Sequence, residues 1–196
     1  MNMREKPLLR EVPSTTSPTT SEEPKAAQLT ALLEAHRGER HIIVLQSFPD
    51  PDALSAGLAH QMIAARYGID CDIAYDGRIS HHENIALVEL LQLRLLRVQE
   101  HDNLTLYRGS IFVDTQGTTS GLTERLRKAG VPVLAIVDHH EPQGLLDAAF
   151  SDIRTDANAT ATIYTEYLEQ GFLTLEAPNP DHKRAVLLLA TEQGIA

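Results

Sequence analysis

The sequence predicts an α/β protein: a parallel sheet of about five strands with helices on both faces. Two patterns carry this expectation. Short apolar runs, His41-Ile42-Ile43-Val44-Leu45, Ser110-Ile111-Phe112-Val113 and Pro132-Val133-Leu134-Ala135-Ile136-Val137, alternate with segments of helical length. Each of these runs leads into an acidic loop, and right-handed crossovers gather such loops on one edge of a parallel sheet. No internal repeat accompanies the alternation.

The elements follow in order. Residues 1–25 hold Ser14-Thr15-Thr16-Ser17-Pro18-Thr19-Thr20-Ser21 and little to bury, so a disordered tail is expected. A helix is predicted over 26–35, with Leu29, Leu32 and Leu33 on one face and Gly38 as its stop. The first strand, 42–46, runs through the loop Ser47-Phe48-Pro49-Asp50-Pro51-Asp52 into a helix over 53–67 that Gly68 closes. A strand over 71–75 is followed by a helix over 85–93, and the next strand ends at Asp114. The spacing then predicts a helix over 121–128, a strand over 131–137, a short strand over 150–153 and a helix over 160–170. Ala177-Pro178-Asn179-Pro180 sets off a last helix over 183–192, whose Leu187, Leu188 and Leu189 offer an apolar face.

Bulk properties narrow the function. The 196 residues suit one ordinary domain, or one domain with appendages. The domain is expected over 26–196, after the tail. The absence of a bilayer-length apolar run argues against a membrane partner, and the absence of a signal-like start makes the cytoplasm the simplest location. One cysteine, Cys71, excludes an intrachain disulfide framework and a multi-cysteine zinc site. A net charge of −10 disfavours long nucleic acid, whose binding requires many neutralised phosphates. It leaves room for a small phosphorylated substrate, since bound cations invert the local field.

The strand ends carry the chemistry. Asp50 and Asp52 share a side if their loop is extended, and Pro49 and Pro51 would stiffen it. The plainer reading makes Asp52 the cap of the helix that follows. Asp114, taken alone, reads as a turn or cap residue. In Asp138-His139-His140, His139 can ligate a metal, Asp138 can orient a neighbouring imidazole, and His140 can contact phosphate or protonate a leaving group. The plainer reading is a polar loop with solvated histidines. Hard carboxylates with a minority of imidazoles suit Mn²⁺ or Mg²⁺. The histidines of Ser80-His81-His82-Glu83-Asn84 are read as solvated, the alternative being that this segment borders the site.

Together these motifs resemble the DHH phosphoesterase superfamily, from about residue 40 to the carboxyl terminus. The first motif stands as Pro49-Asp50-Pro51-Asp52-Ala53, the second as Val113-Asp114-Thr115, and the third as Val137-Asp138-His139-His140-Glu141-Pro142. Ala159-Thr160-Ala161-Thr162-Ile163-Tyr164 resembles the small-residue helix start that follows the third. The chain looks closest to the bacterial branch of oligoribonuclease-like and cyclic-dinucleotide phosphodiesterases. The resemblance implies a hydrolase of phosphodiester bonds in short oligonucleotides or cyclic dinucleotides, with pyrophosphate or polyphosphate as the close variant. It implies two-metal activation of water, usually by manganese, with magnesium as the other option. Asp50, Asp52, Asp114 and His139 are the implied metal ligands, Asp114 the bridge, His140 a phosphate contact and Asp138 its orienting partner.

Two departures set expectations. Gln46 stands where the family carries a histidine, and an amide is the poorer ligand. The chain reaches Gly194-Ile195-Ala196 without the fourth-motif Asp or the smaller substrate-binding domain, so impaired hydrolysis is expected. The alternative is a non-catalytic nucleotide-binding or regulatory module with a decayed site.

Overall fold

The computed structural model describes residues 23–118, 120–144 and 146–171. The expected tail up to residue 22, the helix over 183–192 with its leucine face, and the end at Gly194-Ile195-Ala196 lie outside the described residues. Six strands and five helices follow in the order α1 (Lys25–Ala35), β1 (Arg40–Val44), α2 (Pro51–Ala65), β2 (Asp70–Tyr75), α3 (His82–Leu90), β3 (Leu95–Arg97), β4 (Gly109–Val113), α4 (Gly121–Lys128), β5 (Val133–Asp138), β6 (Phe150–Ile153) and α5 (Thr160–Glu169).

The strands form one sheet in the order β3-β2-β1-β4-β5-β6, every pair parallel. The chain builds outward from β1 to β3, then crosses back to lay β4 on the other side of β1. Their order therefore reverses between β1 and β4, and a crevice opens beyond the carboxyl ends of strands at such a point. This places Gln46, Asp114 and Asp138 together.

Alternation along β1 shows why both faces are covered. Ile43 and Leu45 enter a cluster with Leu29 and Leu33 of α1, Leu54 and Ile63 of α2, and Ile163 and Tyr164 of α5. Ile42 and Val44 point the other way, into a smaller cluster with Leu122 and Leu126 of α4 and with Val98, Leu104 and Tyr107. A strand buried on both faces must be apolar throughout, which is how these runs read in sequence.

The predicted bounds of α4 and β6 match those observed, and α1 begins one residue earlier. β1 starts earlier than expected, because Arg40 and His41 already pair with β2. It ends earlier too: the Ser47 carbonyl accepts from Arg78 N at 2.9 Å, in a loop and not a ladder. The approach is so close that a Cβ on Gly77 would lie 1.9 Å from that oxygen. α2 begins at Pro51, two residues before the predicted start; a proline at the first helical position needs no N–H partner. α3 begins at His82 and closes at Leu90, three residues ahead of the expected span at each end. The sixth strand, β3, was not anticipated. Its three residues show no alternation of their own, and the edge of β2 supplies their partners.

Ile111 of β4 is fully buried in the larger cluster. Ile111→Ala is expected to lower the unfolding free energy by about 2–5 kcal/mol, measured by urea denaturation followed by circular dichroism.

Candidate metal centre

Asp50 and Asp52 leave the same loop for different tasks. Asp50 has an extended backbone and caps α2, its Oδ1 accepting from Ala53 N at 3.0 Å. The cap is therefore Asp50 and not Asp52, against the plainer reading of the sequence. The loop is not extended through both residues: Asp52 lies in the first helical turn, where its carboxylate is free to reach a second helix.

That second helix is α5. Asp52 Oδ2 accepts from Thr160 N at 2.8 Å and Oδ1 from Ala161 N at 2.8 Å. The amides have no partner inside their own helix, and the positive end of the helix dipole faces the carboxylate. Ala159, Thr160 and Ala161 are buried, and their small side chains allow the approach. Burial pushes the Asp52 carboxyl above its ordinary pKa even though both amide hydrogen bonds pull it down.

Asp114 follows β4 with φ of 57°, in the left-handed region, where Asp is among the few side chains found. Its carboxylate is buried, accepts from Thr160 Oγ1 at 2.9 Å, and receives the Gln46 amide at 3.3 Å. Burial first, and then the charges of Asp52 and Asp50, push its pKa up to about 9. Gln46 thus stands at the centre, but it offers Asp114 an N–H where an imidazole would offer a cation a lone pair.

His139 completes the group. Its Nε2 lies 3.5 Å from Asp52 Oδ2 and 3.6 Å from Asp114 Oδ1. Its Nδ1 lies 3.3 Å from the Ala157 carbonyl, an acceptor only, so the proton belongs on Nδ1 and the Nε2 lone pair faces the carboxylates. His140 sits beside it, the ring centroids 4.3 Å apart, with Nδ1 3.8 Å from Asp114 Oδ1. Asp114, His139 and His140 each offer one ligand atom, all within 4.8 Å of one another.

Asp138 stands one layer back. Its Oδ1 accepts from His139 N at 2.9 Å and is 2.8 Å from His140 Nδ1. Gln116 Nε2 donates to its Oδ2 at 2.8 Å, and Gln116 Oε1 accepts from Gln143 N at 2.8 Å. Gln116, nearly fully buried, thereby binds the loop after β4 to the loop after β5. Sequence reasoning missed Gln116, because a lone glutamine after an acidic motif carries no signal of its pairing. It also assigned no role to Thr160, although the small-residue run at the start of α5 was visible. His81 and His82 are exposed, as expected; their neighbour Asn84 is buried and donates to the Pro49 carbonyl at 3.1 Å.

The donor set fits divalent cations. Asp52 and Asp114 have imidazoles, not Lys or Arg, as their ion-pair neighbours among the described residues. Carboxylates crowded this closely in a buried place titrate high unless a positive charge joins them.

A model of the DHH family N-terminal domain matches residues 41–191. The chain belongs to the DHH family. An uncharacterized protein of Methanocaldococcus jannaschii is 38% identical over 127 residues, which are 65% of this chain and 25% of that protein. Among solved structures, an exopolyphosphatase-related protein from Bacteroides fragilis superposes with a TM-score of 0.59 at 10% identity, over 88% of this chain and 57% of that one. A candidate family II inorganic pyrophosphatase of Methanococcus jannaschii gives a TM-score of 0.53 at 20% identity, over 79% of this chain and 48% of the other. The chain thus spans a quarter of its curated relative and about half of each solved one. At these identities the two structures show a shared fold.

The raised Asp114 pKa has a consequence for stability. An Asp in the unfolded chain titrates near 4, so between about 4 and 9 the metal-free native state binds more protons than the unfolded state. That contribution is present in full below pH 4 and is lost as the pH rises through the folded value. Chelator-treated protein is therefore expected to melt at a lower temperature at pH 9 than at pH 6, and Asp114→Asn to flatten the difference in a thermal scan.

Proposed function

We propose that the full protein is a divalent-metal phosphoesterase acting on short oligonucleotides or cyclic dinucleotides. The observation that carries the reading is the convergence of Asp52, Asp114 and the Nε2 lone pair of His139 beyond the ends of β1, β4 and β5. Asp50, Asp52, Asp114 and His139 would hold the cations. Hard oxygen donors with an imidazole favour manganese, with magnesium the alternative. Bound divalent ions supply Lewis-acid activation of water and neutralise charge on the phosphoryl oxygens.

The chain's own residues do the rest. Thr160 and the α5 amides hold Asp52 and Asp114 in place, and the Ala157 carbonyl keeps His139 in its ligating tautomer. Asp138, itself held by Gln116, orients His140, whose side chain is 46% exposed and can meet an arriving phosphate. His140 would hold a phosphoryl oxygen or pass a proton to the leaving oxygen. Phe48 supports a nucleotide over a bare phosphoanhydride: it is 59% exposed in the loop between Gln46 and Asp50, and an exposed aromatic face stacks bases.

The net charge of −10 favours a small substrate over long nucleic acid. Among the described residues no helix is long and apolar enough to cross a membrane; a cytoplasmic location and the absence of a membrane partner are part of the proposal. The proposed domain covers 26–196, and one observation favours a second reading. Gln46 gives Asp114 a hydrogen bond where the family places an imidazole, as a decayed, nucleotide-binding site would.

The manganese-loaded protein should be assayed on a 5′-phosphorylated dinucleotide, a cyclic dinucleotide and pyrophosphate, with product release followed by chromatography. Nucleotide cleavage that Asp114→Asn abolishes and His140→Asn slows by about 10²–10⁴-fold supports the phosphoesterase. Tight nucleotide binding with no turnover supports the second reading. Phe48→Ala is expected to raise KM for the dinucleotide by about tenfold, the worth of one modest base stack, and to leave pyrophosphate hydrolysis unchanged.

A further inference from the structure

At the opposite edge of the sheet, where β1 begins, two imidazoles and a carboxylate meet. His36 Nδ1 lies 2.8 Å from Glu39 Oε2, and His41 Nε2 lies 3.0 Å from the same oxygen. One ligand atom from each of the three residues lies within 4.8 Å of the other two. The grouping is local in sequence but requires a turn. His36 caps the end of α1, and Gly38, with φ of +75°, reverses the chain so that Glu39 and the first strand residues return toward it. The His36 and His41 rings meet edge to face, with centroids 5.7 Å apart.

Two features of His41 distinguish this cluster from a solvated surface triad. His41 is only 1% exposed, on the sheet face that carries Ile43 and Leu45. Its Nδ1 is buried without a hydrogen-bond partner, so the ring's polar contact is the one its Nε2 makes with Glu39, where a cation would take the place of the shared proton.

We propose that His36, Glu39 and His41 form a second metal site, for a borderline divalent cation such as Zn²⁺. Two nitrogens and one oxygen are the donor set that zinc takes with a fourth position left to water. Donors about 2.0–2.1 Å from a tetrahedral ion stand about 3.3 Å apart, so the two contacts need open by only a few tenths of an ångström. His36 and Glu39 are 26% and 33% exposed, which leaves a path in for the ion. The site differs from the strand-end centre in chemistry, being richer in imidazole and so more selective for zinc over manganese. It is also remote from it: His41 to Gln46 spans about 16 Å of strand at about 3.3 Å per residue. Its role is to pin α1 to β1. α1 also reaches the far edge of the sheet, where Lys25 Nζ donates to the Ser151 carbonyl at 3.0 Å.

The test uses the full chain, stripped with chelator, in an Asp114→Asn background that weakens the strand-end centre. Zn²⁺ uptake is measured by calorimetry, and Co²⁺ is added as a spectroscopic stand-in. The expected result is one bound ion with the visible absorption of tetrahedral cobalt. Adding His36→Gln should weaken it at least about 100-fold, more than loss of an outer-shell partner does, while circular dichroism is unchanged. His36 is part-exposed, so this variant avoids the core damage that His41→Gln risks. Equal zinc affinity with and without His36→Gln overturns the proposal, as does the absence of any bound ion in the Asp114→Asn chain. Neither outcome bears on the strand-end chemistry, which is read separately from manganese-dependent hydrolysis in the His36→Gln chain with Asp114 intact.

Discussion

The carboxylate of Asp52, held by the first amides of α5, is the contact on which the centre depends. It joins residues 108 and 109 positions apart in the chain and places a charge of one helix on the positive end of another. Without it, the amino end of α5 would bury unpaired N–H groups, which proteins rarely tolerate. The same turn of α5 presents the Thr160 hydroxyl to Asp114. One helix end therefore positions two of the carboxylates, and the loop just before it, through the Ala157 carbonyl, sets the tautomer of His139.

This arrangement collects negative charge in a buried place. Asp52 and Asp114 both carry raised pKa values because burial removes the water that would solvate them and because each feels its acidic neighbours. A positive charge placed among these carboxylates would relieve that repulsion. The sheet topology contributes as much as the residues. Only the reversal of strand order between β1 and β4 opens a crevice at the ends where these groups stand.

Around the centre, further polar side chains fix the loops. Gln116 clamps Asp138 and the backbone of the following loop, and Asp138 in turn holds His140. On the other flank Asp76 accepts from Ser47 Oγ at 2.6 Å and from Leu122 N at 3.2 Å, linking the first-motif loop to the amino end of α4. The bonds of Gln116 and Asp76 cross-link the loops, each joining residues at least 22 positions apart.

Much of the molecule was legible in the chain itself. Runs such as 42–45 and 132–137 are apolar throughout because both faces of their strands are covered, and the Asp and His residues at their ends mark the functional edge. The helix over 121–128 and the strand over 150–153 were legible to the residue, since Ser120 and Gly130 punctuate the one and β-branched and aromatic residues the other. β3 was not, because three residues at a sheet edge take their structure from the neighbour they pair with. Nor was the division of labour between Asp50 and Asp52: both are good caps by composition, and only the position of α5 decides which carboxylate is free. Gln116, Thr160 and the Ala157 carbonyl were invisible as site residues for the same reason, since their partners are 18 to 46 residues distant. The sequence by itself determined the parallel sheet and the acidic, imidazole-bearing edge, through hydrophobic period and residue type. The tertiary structure decided which of those groups meet, because convergence depends on strand order and on the approach of α5, which no local pattern encodes.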